Sequence, residues 1–332
     1  MAGEKSKIAI ASGDPAGIGP EISLKTALDT AVRAVCDTIV VCDPQLLQHH
    51  AKLCGIKADL HVVSRVGDAR PDRVNVLDCT QPDMAPLGTT SAAAGRASIA
   101  FCARAIKAAV DGEVDAVVAA PQNETSVAMA GIKYDGHPSF LARETGTDEH
   151  NVYMMLCFGE MKITHCTLHQ SVRDAIAAIT PEKVARVLRV TDRTLRQLGI
   201  TAPKIAVSGL NPHAGEGGLF GREEIEIIKP AIDAAVAEGL SVVGPFGADT
   251  FFHMRGIDAF VVMLHDQGHI AAKLLAPNAT AALSIGSPIL FSSVAHGSAH
   301  DIAGKGIADP KAMVDAVLRL SKAKRGAVAT AA

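Results

Sequence analysis

The sequence predicts an α/β protein in which parallel strands alternate with helices. Short apolar runs rich in Val, Ile and Ala recur along the chain, and segments with helical periodicity follow them, which is typical of βαβ units. Trp is absent and aromatic residues make up only 3% of the chain, so the core must be built from small aliphatic side chains. At 332 residues the chain exceeds the size at which one hydrophobic core keeps growing, which indicates two domains.

The first half of the chain follows this alternation. Residues 7–12 predict the first strand, and the segment GDPAGIGPE then leads into a helix. Pro20 falls in the first helical turn, where proline is tolerated, and Glu21 suits the positive end of the helix. A long Ala-rich helix is expected from residue 92 to residue 110. Further strands are predicted at 37–43, 58–64 and 115–121.

The glycine-rich turn after the first strand is not a standard dinucleotide loop. Gly17 and Gly19 match the first two glycines of GxGxxG, but the third position is Ile22, and no Walker lysine follows. Two interpretations remain open: a close approach of the backbone to a ligand, or a simple tight connection between strand and helix.

The second half predicts a hairpin followed by helices and strands. Residues 152–158 pair with the strand that starts at 161. The helix of residues 179–199 has Thr180 as a candidate N-cap and Gly199 as its terminating glycine. A later helix is interrupted at Pro230, and the apolar run 261–264 predicts a strand that ends in a polar turn, HDQGH. A strand at AALSIG and a helical tail from residue 310 complete the expected fold.

Three apolar runs end close to a histidine, at His169, His213 and His265. In open α/β sheets ligands bind outside the carboxyl ends of strands, and imidazole is a good ligand for zinc and similar ions. However, the chain has 13 histidines, and no pair shows the compact spacing of HExxH or CxxC. A surface or hydrogen-bonded role therefore stays open for each of them on spacing alone.

Composition excludes several classes of function. The net charge of −3 and the lack of a basic stripe give no reason to expect nucleic acid or an anionic membrane as partner. The N-terminus has no long apolar region, no run reaches membrane-spanning length, and an odd number of scattered cysteines argues against a disulfide framework. We therefore expect a cytoplasmic protein. The cysteines are Cys36, Cys42, Cys54, Cys79, Cys102, Cys157 and Cys166.

Motifs along the whole chain resemble the 4-hydroxythreonine-4-phosphate dehydrogenase family. They are GDPAGIGPEI, LNPHAGEGGLFGREE, GPFGADTFF, LHDQG and HGSAHDIAGKGIADP, in this order. The resemblance implies two α/β/α domains with a cleft between them, related to isocitrate and isopropylmalate dehydrogenases. It also implies NAD binding without a GxGxxG loop, and a homodimer whose active sites are shared. The expected first domain is discontinuous, at 1–128 plus 283–332, and residues 129–282 form the second domain, which carries the metal histidines.

The resemblance also implies functions for individual residues. Three metal-binding histidines of the family fall on His169, His213 and His265, with zinc expected first and Fe, Co, Mn or Mg as alternatives. The substrate-contacting histidine falls on His137, the acidic residue of the GPFGADT segment on Asp249, and the anion-binding lysine on Lys273. All three are expected to be catalytic residues. Lys273 would pair with a substrate carboxylate or aid proton transfer, and a solvated lysine is the alternative. Asp266 and Asp249 could orient the metal histidines, and a supporting or surface role is expected for His269.

The chain departs from the biosynthetic enzyme where that enzyme binds phosphate. The family's Asn and Arg at that site fall on Ala282 and Phe291, Pro138 replaces a Thr, and Glu124 replaces a Lys. A phosphate is best bound by the guanidinium fork of Arg, and one such charge-assisted contact contributes about 1.5 to 3 kcal/mol. The departures therefore argue against a phosphorylated substrate.

In these details the chain looks most like the terephthalate cis-dihydrodiol dehydrogenase branch of the family. That branch oxidises 1,2-dihydroxy-3,5-cyclohexadiene-1,4-dicarboxylate with loss of CO2 to give protocatechuate. The resemblance thus implies a dehydrogenase that uses NAD and a divalent metal ion and decarboxylates its product. Two alternatives remain: a dehydrogenase for a phosphorylated hydroxy acid such as 4-hydroxythreonine 4-phosphate, and a metal-dependent binding or regulatory protein without dehydrogenase activity.

Overall fold

The computed structural model describes residues 5–83, 86–276 and 280–323. Contacts within the chain group them into two compact units, 5–149 with 287–323 and 150–276 with 280–286. The domain boundaries expected after residues 128 and 282 stay a prediction, because grouping by contacts does not show which part folds on its own.

Strands and helices alternate as the sequence predicts. The strands are β1 (Ser6–Ala11), β2 (Cys36–Cys42), β3 (Leu60–Val63), β4 (Val74–Asp78), β5 (Ala116–Ala119), β6 (Tyr153–Phe158), β7 (Met161–His165), β8 (Lys204–Ser208), β9 (Ser241–Phe246), β10 (Ala259–Val262), β11 (Ala281–Ile285) and β12 (Leu290–Val294). The helices are α1 (Gly19–Leu28), α2 (Thr30–Val35), α3 (Pro44–Leu53), α4 (Ala92–Val110), α5 (Glu124–Met129), α6 (His137–Thr145), α7 (Val172–Ala178), α8 (Pro181–Gln197), α9 (Lys229–Ala237), α10 (His265–Leu275) and α11 (Lys311–Ser321).

The first unit has the strand order β3-β4-β2-β1-β5-β12, with parallel pairing throughout. Its core is formed mainly by Ala, Val, Ile and Leu, which agrees with the aromatic-poor composition. The predicted strands at 37–43, 58–64 and 115–121 are confirmed. Strands β4 and β12 were missed, because polar side chains interrupt their apolar runs: Asn75 in β4 is buried and bonds the backbone of Arg70, and β12 buries Ser292.

The second unit has the order β11-β6-β7-β10-β8-β9. Strand β6 pairs antiparallel with β7, which confirms the predicted hairpin. Strand β10 lies between β7 and β8 and is parallel to both. The carboxyl ends of β7, β10 and β8 therefore meet at one edge of the sheet, which is the edge where the three strand-end histidines were expected.

The helix termini follow the predicted signals, with one correction. The Thr180 side chain accepts a hydrogen bond from the Lys183 N–H at 3.2 Å, and Gly199 has a φ of 93° just beyond the end of α8. Pro230 lies in the first turn of α9, directly after a π-helical turn at Glu224–Ile228. The HDQGH segment was expected to be a turn, but it forms the start of α10. The Gln267 side-chain oxygen accepts from the N–H groups of Met263 and Leu264, both at 2.9 Å, and thus caps the helix.

None of the seven cysteines, all of which lie in the described part of the chain, is in a disulfide bond. Among the described helices, none combines the length and the hydropathy needed to cross a membrane.

Candidate active site and metal centre

Two of the predicted metal histidines lie together on one cavity. His169 follows β7, His265 begins α10 after β10, and their ring centroids are 5.6 Å apart. Both line a cavity of about 460 Å³, within the usual range for small-molecule sites. The other lining residues are mostly apolar and include no Lys or Arg: Thr167, Leu168, Gln170, Val172, Ala175, Leu264 and Asp266.

A neighbouring carboxylate orients the ring of His265. Its Nδ1 lies 2.7 Å from Asp266 Oδ1, which is the contact expected for a carboxylate that supports a ligand histidine. When Nδ1–H donates to this carboxylate, Nε2 carries the free lone pair. Nε2 is then the nitrogen that would face an ion.

His213 lies on a second cavity of about 360 Å³, together with Asn211, Asp249 and Gln267. It is exposed, and its nearest recorded carboxylate is that of Glu216, 3.8 Å from Nδ1. Within residues 5–83, 86–276 and 280–323, no three His, Cys, Asp or Glu side chains are already grouped around a point that could hold a metal ion. The structure thus brings two of the three histidines together, and the full triad stays a prediction.

The donor set nevertheless fits a divalent ion. Imidazole nitrogens bind zinc at about 2.0 to 2.1 Å, so two rings on one ion have centroids about 5 to 6 Å apart. The 5.6 Å between His169 and His265 lies in that range. Gln267, two residues after His265 in α10, lines the His213 cavity, and its Nε2–H donates to the Gly209 carbonyl at 3.0 Å, beside the end of β8.

The loop that carries His213 has an unusual backbone. Residues 213–217 all have positive φ, including the non-glycine residues His213 (52°), Ala214 (52°) and Glu216 (43°). This conformation is strained for residues with a Cβ, and strain of this kind clusters at functional sites. The PHAGEGG run, with its three glycines, is a local signal for such a loop.

Glu224, which the sequence did not single out, holds this loop. Its Oε1 accepts from the N–H groups of Leu210 and Asn211, both at 2.7 Å, and its Oε2 accepts from Asn211 Nδ2 at 3.0 Å. Burial raises the pKa of Glu224, but the hydrogen bonds from Asn211 and Leu210 outweigh this, so the pKa lies below its ordinary value of 4.5. The carboxylate is therefore charged at neutral pH.

A second histidine pair lies behind His265. His165, at the end of β7, is fully buried, and its Nε2 lies 3.1 Å from Nδ1 of His269. His269 stacks on His265 with ring centroids 3.7 Å apart and an angle of 10° between the planes. Burial is the main cause that lowers the pKa of His165 to about 3 and that of His269 to about 4, so both rings are neutral at neutral pH. His165 was not predicted; the short spacing in THCTLH was the signal available.

The remaining predicted residues lie in different places. His137, the first residue of α6, belongs to the first unit, and its ring centroid is 5.3 Å from that of Phe291. Its Nδ1 is buried without a hydrogen-bond partner among the described residues, and burial lowers its pKa to about 4. Lys273 is exposed on α10, and Asp249 is exposed in the His213 cavity.

The chain is similar to known proteins over almost its whole length. Residues 34–319 match the family described as pyridoxal phosphate biosynthetic protein PdxA. The chain is 42% identical over 315 residues to the 1,2-dihydroxy-3,5-cyclohexadiene-1,4-dicarboxylate dehydrogenase of Comamonas sp, covering 95% of this chain and 96% of that protein. It is 40% identical over 318 residues to the D-threonate 4-phosphate dehydrogenase of Cupriavidus necator, with 93% and 95% covered.

A solved structure shows the same fold. The crystal structure of a 4-hydroxythreonine-4-phosphate dehydrogenase from Burkholderia phymatum matches with a TM-score of 0.86 and 37% identity, over 97% of this chain and 99% of that one. The α/β class and the resemblance to this family are thereby confirmed, whereas the relation to isocitrate dehydrogenase stays a prediction. The chain belongs to the PdxA family of dehydrogenases.

Proposed function

We propose that the chain is an NAD-dependent and divalent-metal-dependent dehydrogenase that oxidises and decarboxylates a cis-dihydrodiol carboxylic acid, with terephthalate cis-dihydrodiol as the substrate. The relative from Comamonas is named for a dehydrogenase of this compound. The phosphorylated hydroxy acids named for other relatives are the alternative.

The observation that carries this choice is the environment of Phe291. By the resemblance, this position holds an arginine in family members that bind a phosphate. Here the side chain is fully buried in the core of the first unit and lies against the ring of His137. An uncharged aromatic ring cannot bind a group whose charge is near −2, and the loss of such a contact costs about 1.5 to 3 kcal/mol.

The cavity beside His169 and His265 supports the same choice. Leu168, Val172, Ala175 and Leu264 contribute apolar walls. An unsaturated carbon ring packs well on such walls, whereas a short phosphorylated hydroxy acid has little apolar surface to bury.

Residues of the second unit would have the following roles in this reaction. A divalent ion, when bound, would supply Lewis acidity toward the substrate hydroxyl, and nicotinamide would supply the capacity to accept a hydride. His169, His213 and His265 would hold the ion, and Asp266 keeps Nε2 of His265 available by accepting from Nδ1.

We assign the remaining predicted residues to substrate binding. Lys273 is exposed, which leaves its ammonium group available for a substrate carboxylate. Asp249 lines the same cavity as His213 and could orient it. The neutral ring of His137 could exchange a hydrogen bond with a substrate oxygen through its unpartnered Nδ1.

An assay with purified protein tests the proposal. NAD reduction would be followed at 340 nm with terephthalate cis-dihydrodiol, 4-hydroxythreonine 4-phosphate and D-threonate 4-phosphate, and CO2 release would be measured in parallel. We expect kcat/KM for the diol to exceed that for either phosphate ester by at least about 100-fold, on the order of 3 kcal/mol. A preference for a phosphate ester would overturn the interpretation of Phe291, and no reduction with any substrate would favour a binding protein.

The metal-binding triad needs its own test. We expect His213→Ala to lower both the content of divalent ion in the purified protein and its turnover, with His49→Ala, at an exposed histidine of the first unit, as the control. Unchanged metal content and turnover in His213→Ala would remove His213 from the site.

A further inference from the structure

We propose that His165 and His269 are positioning residues that hold the ring of His265 in the orientation in which it binds the ion. This inference rests on the proposed use of a metal ion. It concerns His165, which was not predicted, and His269, for which the sequence left a supporting and a surface role open.

The first step is the hydrogen bond between the two rings. Nδ1 of His165 faces the Met154 carbonyl at 3.4 Å, and Nε2 faces Nδ1 of His269 at 3.1 Å. When the Nδ1–H of His165 donates to the carbonyl, its Nε2 can only accept, so the Nδ1–H of His269 must donate. One arrangement of protons thus satisfies the pair. The same Nδ1–H also faces the His265 carbonyl at 3.2 Å, and the two contacts together hold the plane of the His269 ring.

The second step is the stacking of His269 on His265. The ring planes are almost parallel and the centroids are 3.7 Å apart. An ion bound by a ring nitrogen lies close to the plane of that ring, and two parallel planes at this separation share no such point. His269 therefore does not serve as a fourth ligand beside His265 while the rings are stacked. It presents a flat face that limits rotation of the ligand ring on one side, and Asp266 fixes the same ring through Nδ1.

The third step is the space made for His165. A Cβ at Gly268 would lie 2.3 Å from Nε2 of His165 and 2.8 Å from Cγ2 of Ile163, closer than side chains pack. Only glycine at this position in the first turn of α10 allows the buried imidazole to lie under the helix. The start of α10 thus leaves room for the ring of His165, which reaches His269. A side chain that only filled space in the core would not need this contact with His269.

The test uses two substitutions that remove the same hydrogen bonds and differ in the shape of the side chain. His269→Leu fills the space without a flat face, and His269→Phe keeps a ring that can stack on His265. Metal-free wild type and variants would be titrated with Zn²⁺ by calorimetry, and the visible spectrum of the Co²⁺ forms would report the geometry of the ligands. Thermal unfolding of the metal-free proteins shows whether each variant folds.

We expect His269→Leu to weaken Zn²⁺ binding at least about 10-fold and to change the Co²⁺ spectrum. The reason is that replacing a residue that supports a metal ligand typically lowers the affinity for the ion 10- to 100-fold. His269→Phe should recover most of the affinity, and His165→Leu should weaken it, because the Nδ1–H of His269 then keeps only the His265 carbonyl, 3.2 Å away, as its partner. Equal affinity and equal spectra for wild type and His269→Leu would overturn the inference while leaving the proposed metal site intact. If the wild type binds no divalent ion, the proposed use of a metal fails and the inference fails with it.

Discussion

At the scale of single residues, one buried carboxylate stabilises the strained loop of His213. Leu210 and Asn211 direct their N–H groups at Glu224, and the loop beyond them has positive φ at three non-glycine residues. Such a backbone persists only where its surroundings fix it. A Cβ at Gly215 would lie 2.6 Å from Glu224 Oε2, so the loop and the carboxylate fit together closely.

We predict that Glu224→Gln destabilises the protein by about 2 kcal/mol at pH 7, because a charged acceptor is lost and the new amide N–H₂ group faces another donor, Asn211 Nδ2. The pKa of Glu224 is lowered, so its contribution to stability is present above the ordinary value of 4.5 and is lost as the pH falls through the lower folded-state pKa. The difference in free energy of unfolding between wild type and variant should therefore be constant above about pH 5 and shrink below 4.5.

Urea unfolding from pH 3.5 to pH 7 measures this difference. Glu226→Gln, which alters an exposed carboxylate of the same helical turn, is the matched control and should show no comparable loss at pH 7. A difference that does not depend on pH would show that the charge of Glu224 does not stabilise the loop.

At the scale of elements, the glycine at the start of α10 decides how the helix packs on β7. An alanine within a helix is ordinarily more stable than glycine by about 0.5 to 1 kcal/mol. At Gly268 the added methyl would meet the buried ring of His165 and the side chain of Ile163, which packs in the core. Steric overlap and helix propensity therefore act in opposite directions at this position.

We predict that the steric overlap has a larger effect than the gain in helix propensity. Gly268→Ala should therefore lower the free energy of unfolding by about 1 to 3 kcal/mol. Gly67→Ala, where nothing lies within 4 Å of the added Cβ, should change it by less than about 0.5 kcal/mol. Adding His165→Ala to Gly268→Ala removes the closest contact, so the two changes should cost less together than the sum of their separate effects. Chemical unfolding of the four variants and the wild type measures this coupling, and strict additivity would show that the ring and the helix turn do not meet.

The elements themselves were predictable where local signals agree. The helix α4 begins and ends where the periodicity of its apolar residues and the helix-terminating Gly112 predict. Thr180 caps α8 as expected. Strand β12 was missed because its buried serines resemble a loop in sequence. The start of α10 was expected to be a non-helical turn because the contacts of its polar residue Gln267, which caps the helix and bonds Gly209, form only once β8 lies beside β10.

At the scale of the whole molecule, the sequence could predict that His169, His213 and His265 follow strands, but not that those strands are neighbours. The strand order places β10 between β7 and β8, and this long-range pairing has no signal in local sequence. His165 and Glu224 contact partners more than ten residues away, so local sequence does not show these contacts, although the short spacing in THCTLH marks His165 as a candidate. The resemblance to a family assigns roles to single residues, whereas the contacts that hold these residues in place are visible only in the fold.

The α10 helix also presents a surface that a second copy of the chain could cover. Ile270 and Leu274, one helical turn apart, are 58% and 78% exposed, and Lys273 lies beside them. Neighbouring exposed apolar side chains on one helix face are typical of an interface, and closed dimers are the commonest assembly of soluble proteins. We propose that this face joins two copies of the chain, in line with the homodimer that the resemblance implies.

We predict that the wild type is a dimer at micromolar concentration and that Leu274→Glu raises its dissociation constant by at least about 10-fold, equivalent to about 1.4 kcal/mol. A charge buried without a partner at each copy of the interface is the physical cause. Light scattering coupled to size exclusion measures the mass, with Ile307→Glu, a 67% exposed position in the first unit, as the control. If active sites are shared between subunits, turnover of Leu274→Glu should fall on dilution in parallel with the dimer fraction, whereas turnover of the control should not. A Leu274→Glu protein that stays dimeric at nanomolar concentration would place the interface elsewhere on the molecule.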